Sequence, residues 1–553
     1  MFCKILSGGV MGVSAEFVWV EVDIDTGLPS FSLVGSLSNE VRESRERVGV
    51  ALKNAGFSLP AARITINLAP ADVHKEGSGY DLPIAVGILA AMQYFPKESA
   101  EGILFLGELG LGGELKTVRG VLPIVQAAKE AGIRECIVPK GNAAEGAVIP
   151  GIVVRGAEHI GQVLEFLQRN DERKHAEIFS GSDVGGVHAE IISESDVGGE
   201  HTRIISGSVV EAEKILPRTI VDAEVLLRAG DSQYDDFVQV SGQSVAKRAA
   251  EIAAAGFHNL LLIGPPGAGK SMIAKRMPGI LPPLSLEESL EVTGIYSVAG
   301  ELQEGQALVT ERPFQAPHHT TTGVALLGGG RYPRPGLISL AHKGILFMDE
   351  LPEFRREVID SMRQPLEERM VQIARIQENI VYPANIMLVA AMNPCPCGYY
   401  PDRNRCRCNE AQIHKYRSKV SGPIMDRIDL WVELQAVALK DLQQVAGEET
   451  TAEIQKRVLQ ARKRQEERFA EMDRSSRTYR FNADIRAEDM ERFCALDGAG
   501  KRMMEKLYDT LQLGARAYHR ILKVARPIAD LAGEEQIRED HLLEAAGYRP
   551  GER

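Results

Sequence analysis

Residues Asn259 to Ile263 read NLLLI, an apolar run followed at once by GPPGAGKS from Gly264 to Ser271 and then by MIAKRM. A strand, a glycine-rich loop and a helix in that order form a phosphate cradle, because the glycines let successive backbone N–H groups face an anion at a helix N-terminus. Gly264, Pro265, Pro266, Gly267, Ala268 and Gly269 form the cradle, Lys270 reaches the β- and γ-phosphates, and the Ser271 hydroxyl ligates magnesium. A chance glycine-rich turn is the alternative, and the flanking strand and helix weigh against it. The loop therefore predicts an α/β fold that takes ATP and Mg2+.

A second apolar run, Gly344 to Met348, delivers Asp349 and Glu350, giving GILFMDE about eighty residues after the loop. The C-terminal end of a strand is where a doubly wound sheet places its ligands. Asp349 is expected to hold magnesium through water and Glu350 to polarise the attacking water. A third run, Asn385 to Met392, ends in Asn393, placed to position the same water or merely to cap the next turn.

At 553 residues the chain is long enough for three or four domains. We divide it into residues 1–168, a mixed α/β segment; 169–215, a linker; 216–440, the nucleotide-binding core; and 441–553, a helical end. In the first segment Phe17 to Ile24, Arg63 to Leu68 and Arg134 to Val138 read as strands, Ser38 to Ala55 and Leu122 to Ala131 as helices. The linker holds a thirteen-residue unit repeated from His175, His188 and His201. So short a Ser- and Gly-rich unit buries no core, and its histidines follow from duplication rather than metal binding. No run approaches the ~18 apolar residues of a membrane helix and the start lacks a signal-peptide pattern, so a cytoplasmic protein with no membrane partner is expected. A net charge of −12 means that any nucleic-acid surface must be a local basic patch.

Four of the seven cysteines fall in two C-x-C pairs, Cys395 with Cys397 and Cys406 with Cys408. Four thiolates can enclose a tetrahedral zinc, although this spacing departs from the usual C-x-x-C knuckle; structural thiols or reversible disulfides are the alternative.

The runs RPFQAPHHTTT (Arg312 to Thr322), GGGRYPRPGLISLAHKGILFMDELPEF (Gly328 to Phe354), RQPLEE (Arg363 to Glu368), VAAMNPCPCGYY (Val389 to Tyr400) and ARAYHRILKVARPIADLAG (Ala515 to Gly533) closely resemble the ComM/YifB-type magnesium-chelatase-like AAA+ ATPases. The resemblance covers nearly the whole chain outside the repeat. It implies an AAA+ P-loop module of the helix-2-insert class, a C-terminal helical lid and a homo-hexameric ring. Matching SGPIMDRIDL makes Arg427 the arginine finger that reaches a neighbouring subunit's γ-phosphate, against a local salt bridge to Asp426 or Asp429. Arg516 matches the lid's sensor arginine, expected to act on its own subunit's nucleotide, with Arg520 and Arg526 on the same helix.

Residues Lys75 to Leu89 and Gly107 to Pro139 resemble the proteolytic domain of Lon, an α+β fold. The nucleophile position falls on Gly79, with Ser78 one residue early, and the lysine position near Leu122, so a proteolytically inactive domain is expected; a rearranged pair using Lys75 or Lys116 is the alternative. For the whole chain the resemblance implies a helicase promoting branch migration in homologous recombination, with single-stranded or branched DNA in the ring channel and recombination proteins as partners. A chelatase-type motor remodelling a protein, and a non-motor regulator, are the readings from other classes. Within the chain the segment Gly328 to Pro335, with Arg331, Tyr332 and Arg334, has the composition to grip phosphates or form a tight turn. The helical stretch bearing Lys456, Arg457, Arg462, Lys463, Arg464 and Arg468 reads as a solvated face.

Overall fold

The computed structural model describes residues 1–180, 212–229, 234–330, 333–374, 379–436, 449–470 and 479–549. They form two compact units, Met1–Arg228 with Ser289–Val309, and Ala229–Glu288 with Thr310–Arg553. Most of the thirteen-residue repeats, with His188 and His201, lies outside the described residues. No helix among the described residues is long and apolar enough to cross a membrane.

The first unit is built on a seven-stranded sheet. Its order is Ser30–Val34, Arg63–Ala69, Ser14–Asp25, Phe2–Met11, Ile103–Phe105, Glu135–Pro139 and Val153–Ala157. The long strands alternate as a half-buried sheet must: Val18, Val20 and Val22 are buried while Trp19 and Asp23 face out. Ser38 caps the helix Asn39–Asn54, its hydroxyl accepting from the Val41 N–H at 3.3 Å. Residues 212–228 belong to this unit, which carries it past the expected boundary at 215. So does Ser289–Val309, whose Ser297 hydroxyl donates to Glu145 at 2.6 Å and whose Gly305 N–H donates to the Gly141 carbonyl at 3.0 Å.

The second unit holds a five-stranded sheet whose pairs are all parallel, in the order Phe314–Gln315, Ile345–Met348, Met387–Met392, Leu260–Ile263 and Leu430–Glu433. Helices cover such a sheet on both faces, so its strands are near-continuous apolar runs: every residue of Ile345–Met348 and Met387–Met392 is buried. The phosphate-loop strand lies beside the Asn393 strand, and the Asp349 strand lies on the far side of that one. Between Phe314–Gln315 and Ile345–Met348 the chain forms a helix Gly323–Leu327, a two-stranded ribbon of Gly328–Gly329 with Arg334–Pro335, and a helix Leu337–Leu340. A second ribbon, Met370–Ala374 with Asn379–Pro383, precedes Met387–Met392. The C-terminal end is helical: Thr451–Ala470, Gly498–Thr510, Ala515–Ala532 and Glu539–Gly547, with Ala515–Ala532 packed on Thr451–Ala470 and Ser244–Gly256.

One buried ion pair ties the loops beneath this sheet. Arg312 is 5% exposed, donates to the carbonyls of Pro282 (2.6 Å), Lys343 (2.8 Å) and Pro283 (3.2 Å), and pairs with Glu288 at 2.8 Å. Truncating Arg312 leaves three carbonyls without their donor and Glu288 with the longer pair to Arg480 at 3.4 Å. Arg312→Ala is therefore expected to destabilise the second unit by about 3–5 kcal/mol, read as a lower thermal midpoint for that unit; an unchanged midpoint would refute the assignment.

Candidate nucleotide site and cysteine cluster

The parallel register brings the sequence-predicted residues to one edge. Ile263 pairs with Met392 and Met348 with Ala390, so Gly264, Asn393 and Asp349 emerge side by side. Gly267 (φ 78°) and Gly269 (φ 89°) take the left-handed turn that opens the helix Lys270–Arg276. Lys270, 9% exposed as a residue, donates through its ammonium to the carbonyls of Gly264 (2.7 Å) and Pro265 (3.0 Å) and to Asn393 Oδ1 (3.1 Å). Burial lowers its pKa, opposed by the charges of Asp349 and Glu350. The Ser271 hydroxyl donates to Asp349 Oδ2 at 2.7 Å, so the two side chains assigned to magnesium share one position. These oxygens are the hard donors that Mg2+ takes alongside substrate phosphates.

Glu350 follows with φ 51°, a strained conformation for a residue bearing a side chain. Its carboxylate is over half exposed and lies 3.8 Å from His319 Nδ1, whose ring is tilted 36° against that of His318 with centroids 4.0 Å apart. The sequence reading assigned the His pair no role; the PHHT run was its visible signal.

Arg427 and Arg516 do not join this edge. Arg427 lies ahead of the strand Leu430–Glu433, with its carbonyl bound by Asn259 Nδ2 at 2.8 Å. The strand Leu260–Ile263 separates this end from the phosphate loop by about 13 Å at ~3.3 Å per residue. The guanidinium pairs with Glu367 and donates to the Pro423 carbonyl. The local salt bridge weighed from sequence is therefore corrected, because both neighbouring carboxylates are engaged elsewhere. Asp426 faces Arg516 at 3.9 Å, and Asp429 faces His258 at 3.0 Å and Arg520 at 3.7 Å. Arg516, 82% exposed, thus sits on the Arg427 side and not beside its own phosphate loop. Arg520 and Arg526 have internal partners, the carbonyls of Asp426 and Ile428 for the one and those of Glu534 and Glu535 for the other.

Directly beyond Asn393 the four cysteines converge. Their sulfur atoms all lie within 4.8 Å of one another, with Cys395 Sγ 3.3 Å from Cys397 Sγ and 3.7 Å from Cys406 Sγ, and Cys397 Sγ 3.5 Å from Cys406 Sγ. A tetrahedral zinc with bonds of ~2.3 Å sets its sulfurs about 3.8 Å apart, so this donor set fits the metal. The Tyr399 backbone N–H pulls the Cys397 thiol down to about 6, while burial pushes Cys406 up to about 12.

In the first unit the protease positions carry no nucleophile pair. Ser78 donates to Glu108, which lies opposite Lys116 across a short antiparallel pair. The Lys75 ammonium, buried, donates to the carbonyls of Pro70 and Val73 (2.7 Å) instead. Among the described residues Ser78 has a carboxylate partner and no lysine ammonium bonded to it, so the serine–lysine pair of the protease is not assembled here.

Of the basic helix, Arg457 pairs with Glu251 and Glu449, Arg468 pairs with Asp530, and Arg462 lies over the Phe481 ring at 4.1 Å. Lys456, Lys463 and Arg464 are exposed. Arg334 is exposed on the ribbon; Arg331 and Tyr332 lie outside the described residues.

A phosphate loop, a carboxylate pair and a polar strand tip on one parallel sheet define an AAA+ ATPase. Three family models match: "Magnesium chelatase, subunit ChlI" over residues 236–442, "Subunit ChlI of Mg-chelatase" over 20–142 and "Magnesium chelatase, subunit ChlI C-terminal" over 448–549. The chain is 40% identical over 547 residues to the competence protein ComM of Haemophilus influenzae, covering 99% of this chain and 97% of that one. It is 40% identical over 540 residues to the YifB protein of Salmonella typhimurium, covering 98% and 95%. A shorter likeness, 30% over 165 residues, joins it to Lon protease 2 of Thermus thermophilus, covering 28% of this chain and 20% of that one. The chain belongs to the ComM/YifB-type family of magnesium-chelatase-like proteins.

Replacing Glu350 with Gln removes the carboxylate expected to polarise water and leaves the residues of the loop unchanged. The variant is expected to bind ATP normally but hydrolyse it at least 100-fold more slowly; near-normal turnover would sink the assignment.

Proposed function

We propose that the protein is an ATP-driven DNA motor: a hexameric ring of helix-2-insert AAA+ subunits that moves single-stranded or branched DNA, as a helicase promoting branch migration does. The observation that carries this reading is the division of the ATP machinery between the two ends of one sheet. Lys270, Ser271, Asp349, Glu350 and Asn393 occupy the C-terminal edge, and Arg427 and Arg516 the other. A subunit built this way completes its site only with a neighbour's arginines, which is the logic of a ring.

In the mechanism that follows, Lys270 and the loop N–H groups would hold the phosphates, and Ser271 and Asp349 would hold a magnesium ion, which when bound would supply positive charge beside the phosphate oxygens. Glu350 polarises the water and Asn393 orients it. Arg427 of one subunit stabilises the charge at the next. Because Arg516 faces Asp426, we read it as acting with Arg427 on the neighbour's nucleotide, replacing the expectation that it senses its own. The helix, ribbon and helix from Gly323 to Leu340 form the insert, and the C-terminal helices the lid. Similarity to a competence protein over the full chain supports incoming DNA as the substrate, in the cytoplasm and alongside recombination proteins. We assign zinc to Cys395, Cys397, Cys406 and Cys408, and a non-proteolytic role to the Lon-like domain. The chelatase-subunit description of the matched family model supports a second reading, a motor that remodels a protein partner.

Hydrolysis is expected to rise severalfold with single-stranded or forked DNA; an active ATPase that neither responds to nor binds DNA at low salt would favour the protein-remodelling reading. Arg427→Ala and Lys270→Ala subunits, each inactive alone, should recover partial activity when mixed, because a wild-type cradle then meets a wild-type finger; no recovery in rings proven mixed would remove the trans role. Metal analysis of anaerobically purified protein should find about one zinc per chain, lost with a fall in thermal stability on Cys395→Ser/Cys406→Ser; protein without zinc would end that assignment.

A further inference from the structure

The cysteine cluster carries more charge than a brace needs. Between Tyr399 and Lys419 stand Arg403, Arg405, Arg407, Lys415, Arg417 and Lys419 against Asp402 and Glu410 alone, a local net of +4 in a chain whose total is −12. All six cations are exposed. Lys419 pairs with Glu353 at 3.1 Å, and Arg417 donates to the Pro394 carbonyl at 3.3 Å. No carboxylate lies within ion-pairing distance of Arg403, Arg405, Arg407 or Lys415 among the described residues. Tyrosine rings splay the guanidinium groups: Arg405 lies over Tyr399 at 4.0 Å and Arg403 over Tyr400 at 5.2 Å. Planar, exposed cations held against rings suit the oxygens of a polyanion.

The module also touches the machinery it adjoins. Gly398, at φ 85°, lies so close to the phosphate loop that an added Cβ would stand 2.7 Å from Pro266 Cδ. On its other side the helix Glu410–Arg417 carries Tyr416, whose hydroxyl is hydrogen-bonded by the backbone of Asn393. The module thus abuts both the phosphate loop and the strand tip that bears Asn393.

We infer that the cysteine module is a docking platform for the phosphate backbone of nucleic acid, and that its occupancy is signalled to the ATP site through the Gly398–Pro266 contact and Asn393. The inference rests on the DNA-motor reading and gives it a grip outside the ribbon that carries Arg334. Because the tyrosine rings are covered by arginines, the platform reads backbone charge rather than stacking on bases, and its preference among sequences is small.

The test uses the full chain with three substitutions, Arg403→Glu, Arg407→Glu and Lys415→Glu, beside a charge-keeping partner, Arg403→Lys, Arg407→Lys and Lys415→Arg. Binding of a fluorescent oligothymidylate and of a forked duplex is followed across a salt series, with ATPase activity and oligomeric state measured in parallel. The acidic variant should lose at least tenfold in affinity, show a log–log salt dependence shallower by about 2, and lose DNA-stimulated but not basal hydrolysis, while the charge-keeping variant behaves as wild type. DNA binding and stimulation retained by the acidic variant would overturn the platform alone. Loss of its oligomeric state would assign this face to a neighbouring subunit and overturn the platform as well. Wild-type protein that binds neither DNA would instead remove the motor reading on which the inference stands.

Discussion

The carboxamide of Asn259 donates to the Arg427 carbonyl and accepts from the Leu388 N–H, both at 2.8 Å, while the Asn259 carbonyl accepts from the N–H groups of Asp429 and Leu430 at 3.1 Å. Three chain segments are thereby pinned at their starts: the phosphate-loop strand, the strand that ends in Asn393, and the turn that bears Arg427. Each such bond contributes only about 1 kcal/mol net, but leaving a buried partner unsatisfied costs about 1–3 kcal/mol. The consequence lies at the far edge. A slip of one residue would displace Asn393 by ~3.3 Å from Lys270 and turn its side chain to the other face of the sheet.

Much of this edge was legible because its chemistry is local in sequence. GPPGAGKS and GILFMDE each put strand, loop and polar group in one short window, and the strands of the first segment showed their period: Phe17 to Ile24 falls inside Ser14–Asp25, and Leu122 to Ala131 nearly coincides with the helix Val121–Glu130. The sites of Arg427 and Arg516 were harder to read. Their partners, Glu367 and Asp426, depend on tertiary placement that no spacing encodes. The same holds for His319 beside Glu350, since thirty-one residues separate them in the chain and adjacency arises only from neighbouring strands.

Charge shows the limit from another direction. Read along the chain, Arg457, Arg462 and Arg468 form a solvated basic face, yet Glu251, Asp530 and the ring of Phe481 draw all three inward. The cluster near Cys406 was read for its sulfur alone, and its arginines stand out only once the fold displays them around one knuckle. Two C-x-C pairs look ill-spaced for a common centre until the turn from Gly398 to Arg405 folds them together.

Composition could not reveal that Ser289–Val309 belongs with the first unit, because the helix Leu286–Ala299 runs without interruption across the boundary. The backbone crosses between units three times, once through the segment that follows the repeats and twice around Ser289–Val309. The repeats fall inside the stretch Met1–Arg228 and are none of these crossings, so a change in their copy number alters the length of chain within one unit rather than between two. Conversely, a gene fragment beginning after Arg228 would encode Ser289–Val309 without its Glu145 and Gly141 anchors. Separable though they look on the linear map, the two units alternate along the chain in an order that no single cut divides.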